Sequence, residues 1–213
     1  MSVGVKICGL KTPGAVAAVI AGGAAFAGFV FFEKSPRFIE PAAAGTLRRA
    51  LPPGLPAVAV TADADDDAID AVVAGARPDY LQLHGRETPA RVAQVKARTG
   101  LKVIKAIAVS SAHDLRAVPD FDKCADLLLF DAKPAPGDAL PGGNARRFDW
   151  SLVRGTQTAQ PFMLAGGLTA GNLGEAIALS GAALVDVSSG VECAPGEKDV
   201  NLIAAFLAAA KLI

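Results

Sequence analysis

Two side chains suited to moving protons each close a short apolar run in this 213-residue chain: Cys8 in Lys6-Ile7-Cys8-Gly9 and Asp131 in Phe130-Asp131. A thiol that ionises takes up a proton, and a carboxyl that stays protonated gives one away, so together they describe an acid-base pair. Other polar residues close comparable runs: Gln82 and His84 in Gln82-Leu83-His84-Gly85, and Asp186 in Asp186-Val187-Ser188-Ser189-Gly190. The turns Gly166-Gly167 and Ser188-Ser189-Gly190 let an anion approach backbone N–H groups closely, and a phosphate is expected there.

These residues need elements to carry them. Apolar or β-branched runs recur at 3–8, 26–31, 57–60, 80–83, 103–106, 127–130, 162–165 and 184–187. Between most of them lie Ala-rich stretches with helical spacing, such as Ala15-Val16-Ala18-Val19 and Ile69-Val72-Val73. The pattern is a βα unit repeated eight times. Parallel strands are buried on both faces and read as continuous apolar runs, as these do. No GxGxxG follows the first run, and eight units in so short a chain suit a closed barrel better than an open doubly wound sheet. The expected fold is therefore α/β, a single (β/α)8 barrel over residues 1–213 with a parallel eight-stranded core.

In such a barrel the chemistry gathers at the C-terminal ends of the strands, where the polar residues named above stand. Alternation along a strand places Lys6 with Cys8, Gln82 with His84 and Asp186 with Ser188, all toward the lumen, because the outer face must meet apolar helices. Thr12-Pro13, residues 110–114 and Thr169 supply helix-start signals. The stretch 132–149, with Pro134, Pro136, Gly137, Pro141, Gly142 and Gly143, is expected to be a lid.

Charge narrows the partners. Twenty-one basic and 21 acidic residues give a formal net charge of zero, so neither nucleic acid nor an anionic membrane surface is expected. The N-terminal residues Met1 to Lys6 lack the apolar stretch of a signal peptide, and no run nears the roughly 20 apolar residues of a membrane helix. A cytoplasmic location follows as an expectation. Cys8, Cys124 and Cys193 are too few and too far apart for a disulfide framework or a CxxC metal pair, and are read as reduced thiols. The run Asp63, Asp65, Asp66 and Asp67 sits where a helix begins and complements its dipole, so no metal is assigned to it.

Several segments, in this order, resemble the signatures of the phosphoribosylanthranilate isomerase family. They are Val5-Lys6-Ile7-Cys8-Gly9, Gly28-Phe29-Val30-Phe31 with Lys34-Ser35-Pro36-Arg37, Gln82-Leu83-His84-Gly85, Leu164-Ala165-Gly166-Gly167-Leu168 and Asp186-Val187-Ser188-Ser189-Gly190-Val191-Glu192. The resemblance implies an Amadori rearrangement of N-(5-phosphoribosyl)anthranilate, a phosphorylated small molecule, on the path to tryptophan. It implies no metal or organic cofactor. Asp131 would be the general acid that opens the furanose ring, and Cys8 the general base that removes the C2 proton. Arg37 would meet the anthranilate carboxylate, while His84 and Asp186 would orient sugar hydroxyls. For these roles Asp131 needs a pKa raised by burial, and Cys8 needs a bias toward thiolate from positive groups or N–H dipoles.

Two departures from the family pattern stand out. Gly142-Gly143-Asn144-Ala145-Arg146-Arg147 replaces the common Gly-Gly-Thr-Gly before Phe148-Asp149-Trp150, and the third strand ends in Val60-Thr61-Ala62-Asp63 where an aromatic and an asparagine are usual. Read singly, Cys8 and His84 also fit a core, Arg37 a solvated loop, and Asp186 a buried partner of Lys6 or Lys105. Three rival functions stay open at this point. Lys105 suggests a Schiff-base aldolase. A histidine-pathway isomerase would need aspartate at position 8 and a second phosphate turn. A noncatalytic barrel that binds a sugar phosphate or a protein would need neither acid nor base. Monomer and homodimer are equally compatible with the sequence.

Overall fold

The computed structural model describes residues 3–135, 137, 142–143 and 146–213. Pro136, Pro141, Asn144 and Ala145 of the expected lid, and Met1 and Ser2, lie outside the described residues. The eight strands are β1 (Gly4–Cys8), β2 (Phe26–Val30), β3 (Ala57–Thr61), β4 (Tyr80–Leu83), β5 (Lys102–Val109), β6 (Leu127–Ala132), β7 (Met163–Leu164) and β8 (Leu184–Val187). They pair in chain order, all parallel, and β8 closes on β1 to complete the barrel. The expected (β/α)8 architecture is thus present. β5 is longer than expected because six residues of β6 pair along it, whereas β7 keeps only the two residues that find partners on β6 and β8.

Helices α1 (Pro13–Gly22), α2 (Pro41–Arg48), α3 (Asp66–Ala76), α4 (Pro89–Thr99), α5 (Val118–Asp122), α6 (Leu173–Ser180) and α7 (Val200–Lys211) cover the outside. The Thr12 hydroxyl accepts the Ala15 N–H at 3.3 Å ahead of Pro13, as the start signal requires. Asp65 caps α3 and puts Asp66 and Asp67 in its first turn, where carboxylates meet the positive end of the dipole. Two expected starts differ. At 110–114 no helix is capped. Instead the Asp114 carboxylate gathers the N–H groups of Ser110 and Ser111 and the Lys133 ammonium, tying the end of β5 to that of β6. Near Thr169 the helix starts later, at Leu173, and the Asn172 amide oxygen accepts the Thr169 N–H.

The core has two shells. Between strands and helices, residues such as Ile7, Leu81, Phe130 and Phe206 are fully buried, each worth about 1.5–3 kcal/mol relative to exposure. Inside the barrel, Val58, Ile104, Leu129 and Met163 fill the floor, with the Phe26 and Tyr80 rings stacked edge to face at 5.5 Å. Above this plug the lining turns polar, with Lys6, Gln82 and Asp186 buried among the strands. After β8 a short 3-10 turn, Ser189–Val191, leads into an antiparallel hairpin of β9 (Glu192–Ala194) and β10 (Glu197–Lys198) that folds back over the mouth. Among the described residues no helix is long and apolar enough to cross a membrane.

Candidate active site

One cleft at the C-terminal end of the barrel gathers Cys8 from β1, Arg37 after β2, His84 after β4, Asp131 on β6, Gly166 and Gly167 after β7, and Asp186, Ser188 and Ser189 from β8 and its turn. About 830 Å³ of space lies within its walls, part of it open to solvent. Gly190 is not among the described residues that line the cleft. A Cβ there would fall 1.9 Å from the Leu168 carbonyl oxygen, so its lack of a side chain lets the β8 turn lie against the β7 turn. Gly166 and Gly167 have φ of 91° and 66°, a left-handed path that only glycine follows without strain.

The acid side of the cleft is a chain of hydrogen bonds. The Gln82 amide nitrogen lies 2.8 Å from His84 Nδ1, and His84 Nε2 lies 3.2 Å from Asp131 Oδ2. An amide N–H donating to Nδ1 leaves a ring hydrogen on Nε2, facing Asp131. Asp131 Oδ1 accepts the N–H of Ala132 at 2.8 Å. His84, expected to orient a sugar hydroxyl, meets the carboxyl group through this ring edge. Gly142 of the lid segment passes close by, and a Cβ on it would sit 2.5 Å from His84 Nε2 and 2.8 Å from Asp131 Oδ2.

Cys8 sits opposite, buried at the end of β1. Burial pushes its thiol above the ordinary value even though Lys6 and Lys198 pull it down, the opposite direction to the expected bias toward thiolate. Asp186, the other expected sugar contact, holds the Lys6 ammonium at 3.0 Å.

Arg37 shows what spacing alone hides. Its Nε and Nη2 donate to the two oxygens of Glu192 at 2.8 Å each, and both side chains are buried. The Nη1 atom takes no part in this pair and lies beside Gly143. Glu192 also binds Lys198, which donates to the Ser188 carbonyl at 3.0 Å, and the Ser188 hydroxyl donates to the Cys8 carbonyl at 3.0 Å. Burial would raise the Glu192 carboxyl, but Arg37 and Lys198 hold it below its ordinary value. Glu192 belongs to the quoted β8 segment yet was assigned no role, and Lys198 carried no signal at all. Arg146, which lines the cleft beside Gly167, was likewise missed.

Lys105 does not face the cleft. It pairs in register with Leu83 on the outer surface, binds Glu87 at 2.7 Å and lies 5.6 Å from the Phe121 ring centre on α5. A lysine outside the lumen cannot reach a carbonyl in the mouth, which removes the aldolase reading. The acidic residues at the start of α3 form no metal-binding group among the described residues.

The model of the N-(5'-phosphoribosyl)anthranilate (PRA) isomerase family matches residues 5–209. The chain belongs to this family. An N-(5'-phosphoribosyl)anthranilate isomerase of Brucella canis is 54% identical over 209 residues, 98% of this chain and 94% of that protein. Among solved structures, the phosphoribosyl anthranilate isomerase of Thermotoga maritima superposes with a TM-score of 0.87 at 33% identity, over 99% of this chain and all of that one (100%). A further solved structure, of a phosphoribosyl anthranilate isomerase in complex with reduced 1-(o-carboxyphenylamino)-1-deoxyribulose 5-phosphate, has a TM-score of 0.84 at 32% identity over 99% of this chain and 100% of that one.

Proposed function

We propose that this chain converts N-(5'-phosphoribosyl)anthranilate to 1-(2-carboxyphenylamino)-1-deoxyribulose 5-phosphate in tryptophan biosynthesis, with Asp131 as general acid and Cys8 as general base. The observation that carries this reading is the meeting of a strand-terminal thiol from β1 and a strand-terminal carboxyl from β6 in one cleft, beside two glycine- and serine-rich turns. Asp131 gives its proton to the ring oxygen as the C1–O bond breaks and the nitrogen lone pair forms a C1=N iminium. The Cys8 thiolate takes the C2 proton, and the C–H electrons become the C1=C2 bond while the iminium nitrogen recovers its pair. The enolamine then ketonises. An iminium is its own electron sink, so proton transfers are what the protein must supply, each worth about 10²–10⁴ in rate.

Arg37 receives the anthranilate carboxylate on its Nη1 edge. The phosphate takes the turns of Gly166, Gly167, Ser188 and Ser189, with Gly190 setting how closely the two turns approach. Residues 1–213 act as one catalytic domain, in the cytoplasm and without nucleic acid as a partner. A homodimer is as consistent as a monomer: one related structure is of monomers made from the dimeric Thermotoga maritima protein.

The test is loss of the substrate's anthranilate-type fluorescence, followed with wild type, Cys8→Ala and Asp131→Asn. Turnover by wild type and a drop of several orders of magnitude in both folded variants supports the roles. Binding without turnover by wild type would leave only a sugar-phosphate-binding barrel.

A further inference from the structure

The buried base poses a physical problem: Cys8 must become an anion in a place where burial favours the neutral thiol. The charged groups that act on it are Lys6 from its own strand, Asp186 from β8 and Lys198 from β10. His84 and Asp131 line the same cleft from β4 and β6, and Arg37 lines it with its charge matched by Glu192. From β2 and β3, Gly28 and Val60 contribute no charge.

Lys6 stands out among these groups. It is among the largest fully buried side chains of the protein, points into the lumen two residues before Cys8, and has no contact with solvent. A lysine in such a place ordinarily sheds its proton; here the Asp186 carboxylate keeps the ammonium charged. Asp186 accepts one of its three N–H groups at 3.0 Å, and the Cys8 sulfur is a further hydrogen-bond partner of the ammonium. Gly28 makes the arrangement fit. A Cβ at Gly28 would lie 3.2 Å from both Cys8 Sγ and Lys6 Cε, so the thiol and the lysine end share the space that this residue leaves open. Burying an ion pair is costly and gives little net stability over apolar packing, so a pair kept beneath a nucleophilic sulfur calls for a functional reason.

We propose that Lys6 is a positioning residue for proton abstraction: it serves as the counter-ion of the Cys8 thiolate, and Asp186 holds it in place while competing with the thiolate for its charge. The inference rests on the reading of Cys8 as the base. Ionisation moves the thiol proton to solvent, leaving a sulfur anion beside a cation whose other neighbour is a carboxylate. The two partners of Lys6 therefore act on the sulfur with opposite sign. Removing the ammonium makes the thiolate harder to form, and removing the carboxylate makes it easier.

The experiment uses the full chain with Cys124→Ser and Cys193→Ser, which leaves Cys8 as the one thiol. The rate of alkylation by iodoacetamide against pH gives the midpoint of Cys8 ionisation without any substrate. Lys6→Met is expected to raise that midpoint by about one unit or more, and Asp186→Asn to lower it, the size expected for one charge at close range. The acid limb of kcat/KM should move in the same two directions, which a merely structural role would not produce. Midpoints that stay put, or that move the same way in both folded variants, overturn the proposal. If Lys6→Met does not fold, Asp186→Asn decides: a midpoint unmoved or raised overturns it. Should Cys8→Ala retain turnover, the base reading fails while the alkylation midpoints still report on Lys6; should Cys8→Ala abolish turnover with both midpoints unmoved, only the role of Lys6 fails.

Discussion

The His84 imidazole donates its Nε2 hydrogen to Asp131 Oδ2 across 3.2 Å, and so joins the end of β4 to β6 at the barrel mouth. Behind it, Gln82 sets the tautomer from 2.8 Å away. The Asp131 carboxyl group is therefore oriented by a relay that begins one side-chain layer deeper in the barrel.

That relay makes a measurable claim. His84→Ala should lower kcat about tenfold or more, because the carboxylate that Asp131 becomes as it gives up its proton loses a hydrogen bond worth roughly 1.5–3 kcal/mol. Gln82→Met should lower it less, by leaving the ring tautomer free. If the two act through one chain, the double variant falls no further than His84→Ala alone in a double-mutant cycle. Additive losses would separate Gln82 from the acid.

Gly142 tests the lid. An alanine methyl there would stand 2.5 Å from His84 Nε2 and 2.8 Å from Asp131 Oδ2, a distance that real side chains do not keep. Either the segment retreats from the cleft or the two side-chain ends swing aside. Gly142→Ala should cut kcat/KM by about tenfold, the loss expected when reacting groups are misplaced, with thermal stability close to wild type because the added methyl lies at the cleft and not in the apolar core. An unchanged kcat/KM would show that the segment does not rest on the acid during turnover.

A third expectation concerns acid stability. Glu87 and Lys105 are a buried pair at 2.7 Å; Lys105 also donates to the Leu83 and Gly85 carbonyls, and Glu87 accepts the N–H groups of Asp63 and Gly85, so the pair braces the loop that carries His84. Burial would raise the Glu87 carboxyl, yet Lys105 and the Asp63 N–H lower it below its ordinary value. A depressed carboxyl stabilises the fold above the unfolded carboxylate range and loses that contribution as pH falls through the folded value. Glu87→Gln leaves the Lys105 charge unpaired and should cost about 3–5 kcal/mol at pH 7. Denaturant titrations should show the gap between wild type and variant narrowing below about pH 4. A gap that stays constant to pH 3 would rule out the pair as its source.

Local signals made much of this molecule readable without coordinates. Each strand announces itself as a short apolar run because a parallel strand is covered on both faces, and Thr12-Pro13 and the acidic start of α3 mark helix ends through bonds made within a few residues. Cys8, Asp131 and the Gly166-Gly167 turn were visible for the same reason: period-two alternation and the end of an apolar run place a polar residue at the mouth.

Other features depend on contacts between distant segments. Lys6 and Asp186 are 180 residues apart and meet only because β8 closes the barrel against β1 in a register that puts them side by side. Arg37 and Glu192, 155 residues apart, pair because the hairpin after β8 folds back across the mouth. Lys105 resembled a lumen nucleophile until the register of β5 with β4 turned it outward beneath α5. Composition and alternation decide which residues stand at strand ends, since those rules act over a few bonds. Which charge faces which, and therefore whether a thiol ionises or an arginine is paired, is decided by barrel closure, because burial and Coulomb interaction depend on distances in space and not along the chain.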